Sequence, residues 1–148
     1  MTKYATDTVS RLETNLDDCP AELLGAVMSS LFAAGALDVW FTPVQMKKSR
    51  PGVMLSVLCE EGAVELLADI IFGETTAFGL RVEKVMRLKL DREFHQVQTP
   101  YGEVTMKLGL RGGEVVQRSP EFESCRKVAQ SAGVPVKTVF AAALAASG

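Results

Sequence analysis

Hydrophobic and polar residues alternate with a period of two over Ser10–Asp17, which predicts a strand with one buried face. Its even positions are apolar or small, and its odd positions are charged or amide side chains. From Pro20 to Gly35 the apolar residues recur at helical spacing, with proline suited to the first turn and glycine to the end. The same patterns predict strands over Leu37–Met46, Val53–Cys59 and Leu80–Asp91, and a helix over Glu61–Phe72.

The order of these elements is βαββαβ, which is the arrangement of a ferredoxin-like sandwich. This topology implies an antiparallel sheet with the spatial order 4-1-3-2 and both helices on one face. Pro43 lies within the second strand and favours an edge position, because proline cannot donate a ladder hydrogen bond. We therefore expect an α+β fold whose ferredoxin-like domain covers residues 1–92.

A different pattern begins near Phe94, where shorter alternating stretches are separated by turn residues. It predicts a hairpin from Phe94–Thr99 and Val104–Leu110, then a short strand over Glu114–Arg118. Ser119 is expected to cap a helix with Pro120 at its first position, and an alanine-rich helix to begin near Pro135. Residues 93–148 should thus form a small β-hairpin plus two-helix region.

Composition narrows the classes of function. The chain has 148 residues, is 47% hydrophobic and carries a net charge of −2, so it can bury a core and is not a general polyanion binder. No apolar run approaches the ~18 residues of a membrane span. Three cysteines lie far apart, which favours a reducing, cytoplasmic location. His95 is the only histidine, so no zinc site or histidine-based metal store is expected.

The segment Val128–Val139 resembles the helix-turn-helix of bacterial repressors. A recognition helix must present polar side chains to the major groove. Here the second helix continues as an alanine-rich stretch that has Lys137 but no base-reading arginine, asparagine or glutamine. We therefore expect no DNA binding.

The predicted topology brings three separate segments to one rim of the sandwich. The first strand ends there, the second strand turns into the third there, and the second helix returns the chain to it. The segments are Asn15–Pro20, Lys47–Gly52 and Gly73–Gly79.

The residues of this shared rim are those that would hold a metal–triphosphate. Asp17 and Asp18 offer the hard oxygen ligands that Mg²⁺ or Mn²⁺ prefers, and Glu13 lies on the same strand face as Asp17. The candidates for phosphate contacts are Lys47, Lys48 and Arg50, with hydroxyls from Thr75 and Thr76. A simpler interpretation stays open, in which Asp18 only starts a helix and the lysine-rich turn is a solvated hairpin tip.

Several stretches resemble one protein family, LarC. They are Leu12–Asp18, Gly35–Val39, Thr42–Gly52, Glu74–Arg81, and the tail from Thr99–Gly102 to Ser119–Glu123. The stretch Gln-Met-Lys-Lys-Ser-Arg-Pro-Gly is the most specific of them. The resemblance covers nearly the whole chain after Val9 and corresponds to the C-terminal part of the family.

The resemblance implies a CTP-dependent nickel chelatase or cyclometallase. Such a protein binds CTP with a divalent ion and transfers Ni²⁺ into pyridinium-3,5-bisthiocarboxylic acid mononucleotide, the pincer nucleotide precursor of the lactate racemase cofactor. On this basis Arg81 joins the phosphate-binding set. The partners implied are the N-terminal LarC domain, absent from this chain and needed for full activity, and further copies in a homo-oligomer. Nickel would want softer ligands than this rim offers, and the adjacent thioether of Met46 is not enough to form a site, so the nickel site is left unassigned.

An alternative from another class is a non-catalytic ligand-sensing or oligomerisation module. Ferredoxin-like domains often pair through an open sheet face or an edge strand, and Pro43 marks one such edge. Nucleotide binding would distinguish the two readings.

Overall fold

The computed structural model describes residues 3–148, which form two compact units. The N-terminal unit is Asp7–Arg87, and the C-terminal unit is Leu88–Gly148 together with residues 3–6. The division falls a few residues before the boundary predicted after residue 92. The first six regular elements are β1 (Ala5–Leu16), α1 (Ala21–Ala33), β2 (Asp38–Met46), β3 (Arg50–Cys59), α2 (Val64–Glu74) and β4 (Arg81–Lys89).

These elements form a ferredoxin-like sandwich, as predicted. The sheet has the order β2-β3-β1-β4, and β3 pairs antiparallel with both β1 and β2. Strand β2 is an edge strand, so Pro43 lies where its missing N–H is tolerated. The predicted α+β fold class and strand order are confirmed.

The core of the N-terminal unit lies between the sheet and its two helices. Its buried members are Leu12, Leu16, Val27, Leu31, Val39, Leu55, Val57, Cys59, Leu67 and Ile71. The even positions of β1 thus point to the helices. The odd positions carry Arg11, Glu13 and Asn15 on the other face, where side chains can reach solvent or a ligand.

Several predicted boundaries are wrong by a few residues. Arg50 pairs with Met46 across the β2–β3 ladder, so the turn shrinks to the 3₁₀ segment Lys47–Ser49 and β3 begins at Arg50. Helix α2 begins at Val64, after the short 3₁₀ turn Glu61–Ala63. Ser119 pairs with Lys107 in a strand and does not cap the next helix, which begins after Glu121.

The C-terminal unit is a three-stranded antiparallel sheet, with the order β5-β6-β7, packed against two helices. Its elements are β5 (Asp91–Thr99), β6 (Gly102–Arg111), β7 (Glu114–Pro120), α3 (Phe122–Ala132) and α4 (Val136–Ala146). Its buried core is Val104, Met106, Cys125, Ala129, Val139 and Ala143. Gly133 ends α3 in the left-handed conformation, as its position predicts. Within residues 3–148, no single helix has the length and apolar character of a membrane span; α3 and α4 meet that test only together, across a bend of 117°.

Candidate functional site

The three segments predicted to share a rim do meet in the structure. Arg50 Nη1 donates a hydrogen bond to Asp17 Oδ2 at 3.3 Å, which joins the β2–β3 turn to the end of β1. Thr76 Oγ1 donates to Asp18 Oδ1 at 2.6 Å, which joins the α2–β4 loop to the same point. We call Asp17–Asp18, Lys47–Arg50 and Thr75–Arg81 together the rim.

A polar pocket of about 320 Å³ opens at the rim. Its lining comes from the end of β1 and from the loop before β4. Arg81 lies at its edge and donates a hydrogen bond from Nη2 to Asn15 Oδ1 at 2.6 Å. The lining residues are Thr14, Asn15, Leu16, Asp17, Asp18, Thr76, Ala77, Phe78, Gly79 and Arg81. The pocket therefore gathers two carboxylates, one guanidinium and the hydroxyls of Thr14 and Thr76.

Two close contacts hold the rim segments against β1. A Cβ atom at Gly52 would lie 2.6 Å from the backbone oxygen of Leu16, so only glycine lets β3 approach β1 this closely. The buried hydroxyl of Thr14 donates to the carbonyl of Gly79 at 2.9 Å and tethers the α2–β4 loop. In the sequence, the second contact was indicated only by Thr14, a polar residue at a strand position where apolar residues point inward.

In the turn Lys47–Ser49, the basic side chains are exposed to solvent. The backbone of the same turn is strained. Lys48 and Ser49 have φ values of 59° and 57°, in the left-handed region that disfavours residues with a Cβ. Within the described part of the chain, neither Lys47 nor Lys48 forms an ion pair. Strained backbone of this kind is typical of functional loops. The two lysines are thus available to a ligand.

Glu13 and Thr75 are placed beside the pocket and not in its lining. Glu13 lies 3.4 Å from Arg11 and 3.8 Å from Arg81, and accepts a hydrogen bond from Ser56 at 3.3 Å. The bond that Arg11 donates to Glu83, with the charge of Glu13, raises the pKa of Arg11. The hydroxyl of Thr75 donates to the carbonyl of Ile71 at 2.6 Å and caps α2. Their predicted roles as metal support and phosphate ligand stay predictions.

The metal prediction rests on Asp17 and Asp18. Among residues 3–148 no cluster of three histidine, cysteine or acidic side chains is arranged to hold a metal. This arrangement fits Mg²⁺ or Mn²⁺ arriving with a nucleotide, since Mg²⁺ is commonly bound by one or two carboxylates plus phosphate oxygens and water. It does not resemble a preformed all-protein metal site.

Phe78 is a rim residue that the sequence did not single out. Its side chain is fully exposed, although it belongs to the pocket lining. An aromatic ring held in solvent beside a polar pocket offers a flat apolar surface for stacking. In the sequence, the only indication of this role was the presence of a phenylalanine in a loop that contains glycine.

The cysteines and the histidine lie outside the pocket. Cys59 and Cys125 are buried, and burial raises the pKa of both thiols. Cys19 is half-buried near Asp17, Pro51 and Gly52. His95 is exposed on β5, 3.2 Å from Glu93.

Fold and site together define a ferredoxin-like domain with a polar pocket at its rim. The sequence profile of the family described as "Nickel insertion protein" matches residues 1–140. The chain therefore belongs to the nickel insertion protein family, and the resemblance drawn from its sequence is confirmed.

Similar proteins from other organisms support this family assignment. A "Putative nickel insertion protein" of Myxococcus xanthus is 53% identical over 93% of this chain and 35% of its own length. The "Pyridinium-3,5-bisthiocarboxylic acid mononucleotide nickel insertion protein" of Acetivibrio thermocellus is 47% identical over 90% of this chain and 33% of its own. The chain thus spans about a third of the length of these curated relatives.

A solved structure shares the fold over almost the whole chain. It is described as LarC2, the C-terminal domain of a cyclometallase involved in the synthesis of the NPN cofactor of lactate racemase, in the apo form. The TM-score is 0.89 at 42% identity, covering 96% of this chain and 98% of that one. Both units of this chain therefore have counterparts in that domain.

Proposed function

We propose that the rim binds CTP together with Mg²⁺ or Mn²⁺, as part of a protein that inserts nickel into pyridinium-3,5-bisthiocarboxylic acid mononucleotide. The observation that carries the proposal is the meeting of Asp17 and Asp18 with Arg50, Thr76 and Arg81 around one pocket. Carboxylates for a divalent ion and cations for phosphates are the two requirements of a metal–triphosphate. Family membership supports a role in nickel insertion. The binding of CTP is proposed in addition, from the residues of the rim.

Binding would proceed by an exchange of partners. Without ligand, Arg50 neutralises Asp17 at 3.3 Å, and Thr76 satisfies Asp18 at 2.6 Å. When a metal–triphosphate enters, Arg50 turns to a phosphate oxygen and releases Asp17 for the metal. Arg50 and the two carboxylates would each keep an opposite charge or a hydrogen bond throughout, so no buried charge would be left unpaired.

The phosphate chain would extend toward the β2–β3 turn. Lys47 and Lys48 lie there exposed, and Arg50 connects the turn to the pocket. Arg81 closes the opposite side, oriented by Asn15 at 2.6 Å and by Glu13 at 3.8 Å. Asp17 and Asp18 would hold the divalent ion, which would supply positive charge to neutralise the phosphates.

Phe78 is the candidate for contact with the cytosine base. Its exposed ring lies on the lip of the pocket, and stacking of a base on an aromatic side chain is worth about 1–3 kcal/mol. Stacking alone does not select one base, so discrimination for cytosine would also require hydrogen bonds to the edge of the base.

Nickel would be the transferred metal and not a resident of this rim. Ni²⁺ suits imidazole and softer ligands, whereas the rim offers carboxylates and hydroxyls. Because the curated relatives are about three times longer, the N-terminal part of such a protein is the proposed partner in the insertion step. We propose a cytoplasmic location, where the separated thiols stay reduced.

A titration of the chain with CTP and Mn²⁺ tests the rim directly. The double variant Lys47→Ala/Arg50→Ala removes two exposed cations and should weaken CTP binding about 100-fold, since each charged hydrogen bond is worth about 1.5–3 kcal/mol. The matched control is Lys137→Ala/Arg118→Ala, which removes the same charge from the C-terminal unit. Unchanged affinity in the rim variant, or equal weakening in both variants, contradicts the proposal.

The surface of β4 supports a second candidate function, assembly into a homo-oligomer. This edge strand exposes Val82 and Met86, residues that are 52% and 71% accessible. Exposed apolar side chains along an unpaired edge are typical of a protein interface. A defined oligomer that dissociates on Met86→Lys, together with an absence of nucleotide binding, would favour this module reading.

A further inference from the structure

One face of the β5-β6-β7 sheet is turned away from the helices of its own unit. Directly paired residues share a face, and the ladder pairs Arg92 with Gly109 and Phe94 with Lys107. Gln117 continues this face on β7, opposite Gly109. The other face carries Val104 and Met106, which pack on α3 and α4. The first face is therefore left to solvent or to a ligand.

A pocket of about 300 Å³ lies on this open face. Its lining consists of Leu88, Lys89, Leu90, Arg92, Lys107, Leu108, Gly109, Gln117 and Ser119. Leucines form its apolar wall, and three basic side chains stand at its edge. A volume of this size matches the smaller pockets that bind small molecules.

The pocket depends on the absence of a side chain at Gly109. A Cβ there would lie 2.7 Å from Leu90 Cδ1 and 3.2 Å from the Cβ of Gln117. Gly109 does not have a positive φ, so its backbone conformation does not require glycine. A β-bulge between Gly109 and Leu110 changes the strand at the same point, and bulges are often found next to binding sites.

The charge of the pocket favours an anion. Its lining contains Lys89, Arg92 and Lys107 and no carboxylate. Glu121 reaches one of these cations, Lys107, at 3.2 Å. Arg92 is exposed and makes no ion pair within residues 3–148, so its guanidinium is available for two parallel hydrogen bonds to a phosphate.

An aromatic side chain stands next to these cations. Phe94 is 61% exposed and lies directly opposite Lys107 across the β5–β6 ladder. A phosphate held by Arg92 and Lys107 would leave the remainder of its ligand beside the ring of Phe94. An attached aromatic ring could stack there, as bases do on exposed aromatic residues of sheets.

We propose that this face is a second binding site, for a nucleoside monophosphate with an aromatic base. We call it the sheet-face site and define it by Arg92, Phe94, Lys107, Gly109 and Gln117. It lies wholly within the C-terminal unit. The inference does not depend on nucleotide triphosphate binding at the rim.

Calorimetric titration of the complete chain in the presence of EDTA tests the site. The probe is nicotinamide mononucleotide, compared with nicotinamide riboside and with inorganic phosphate. The mononucleotide should bind at least about tenfold more tightly than either fragment, because it uses both the cations and the ring. No heat at millimolar probe, or phosphate binding as tightly as the mononucleotide, overturns the proposal.

Two variants separate the parts of the site. Arg92→Ala/Lys107→Ala should weaken the mononucleotide by more than about tenfold, and Phe94→Leu by about fivefold or more. The control Arg111→Ala/Arg118→Ala removes the same charge from neighbouring exposed positions and should leave affinity within about twofold. Equal weakening by the control would indicate general charge attraction and overturn the site. Circular dichroism verifies that each variant is folded, and CTP titration of the same variants reports separately on the rim.

Discussion

The rim takes its polar groups from three segments that are distant in sequence, whereas the sheet-face site takes its groups from three consecutive strands. At the rim, both carboxylates already have partners: Asp17 contacts Arg50, and Asp18 accepts a hydrogen bond from Thr76. On the sheet face, Arg92 has no such partner among the described residues. Binding at the rim therefore requires both carboxylates to change partners. On the sheet face, Arg92 can accept an anion directly, and only the contact of Lys107 with Glu121, at 3.2 Å, would be exchanged at the defined site.

This difference has consequences for ligand dependence. A rim whose carboxylates are held by its own cations should bind a triphosphate weakly without a divalent ion, because the carboxylates would repel the phosphates. A sheet face whose pocket lining contains cations and no carboxylate should need no metal. Metal dependence is thus the property on which the two surfaces should differ most.

The largest expected effect follows from removing the metal or its proposed ligands. EDTA, or the double variant Asp17→Asn/Asp18→Asn, should reduce CTP affinity by about 100-fold or more, as expected when two charged contacts are lost. Binding of a mononucleotide at the sheet face should not change. Asp69→Asn/Asp91→Asn is the charge-matched control. Metal-independent CTP binding measured by calorimetry would remove the distinction between the surfaces.

The two close-contact glycines should respond differently to the same substitution. Gly52→Ala places a methyl group 2.6 Å from a backbone oxygen that cannot move, so it should lower the free energy of unfolding by about 1–3 kcal/mol. Gly109→Ala meets the flexible end of Leu90 at 2.7 Å and the Cβ of Gln117 at 3.2 Å, so it should cost about 1 kcal/mol, less than Gly52→Ala, while filling the pocket.

Gly25→Ala provides the control for this pair. The position lies within α1 with nothing near the new Cβ, and alanine should stabilise the helix by about 0.5–1 kcal/mol. Urea unfolding of the three variants measures these differences. A larger loss for Gly109→Ala than for Gly52→Ala would reverse the comparison.

A smaller effect is expected from the tether between β1 and the loop. Thr14→Val keeps the shape but removes the hydrogen bond to the Gly79 carbonyl, and should destabilise the chain by about 1 kcal/mol. It should also weaken CTP binding, because the loop carries Thr76 and Phe78. Thr8→Val, at an exposed position of the same strand, should leave both the unfolding midpoint and CTP affinity unchanged.

The smallest effect concerns strain in the lysine turn. Lys48→Gly and Lys48→Ala remove the same charge, but only glycine relieves the φ of 59°. Lys48→Gly should therefore be more stable than Lys48→Ala by about 0.5–1 kcal/mol, with CTP affinity lowered in both. Equal stability of the two variants in urea unfolding would show that the turn is not strained in solution.

The sequence predicted the fold and the shared rim because both follow from element order. Alternating positions in β1 and helical spacing in α1 identify the elements, and the topology then determines which ends meet. Asp17, Asp18, Arg50 and Thr76 were placed together on this basis, and their hydrogen bonds bear out the juxtaposition.

The sequence could not predict side-chain partners or the ends of the ladders. Thr75 caps α2 with its own hydroxyl, and Glu13 faces Arg11 and Arg81, because local hydrogen bonds compete with ligand roles. Ser119 looked like a helix cap, but pairing with Lys107 extended β7 through it. The sheet-face site went unseen because it depends on the strand register and on the space at Gly109.

The most direct test of the account is a thermal-shift screen of the chain with CTP, UTP, ATP and GTP, each with Mn²⁺, Mg²⁺ or EDTA. A ligand at ~100 times its Kd adds about 2.7 kcal/mol of stability, which raises the Tm by roughly 5–10 °C for a chain of this size. We expect a shift with CTP and a divalent ion that exceeds the other three and disappears in Lys47→Ala/Arg50→Ala. No shift with CTP, or equal shifts with all four nucleotides, would contradict the assignment of metal-bound CTP to the rim.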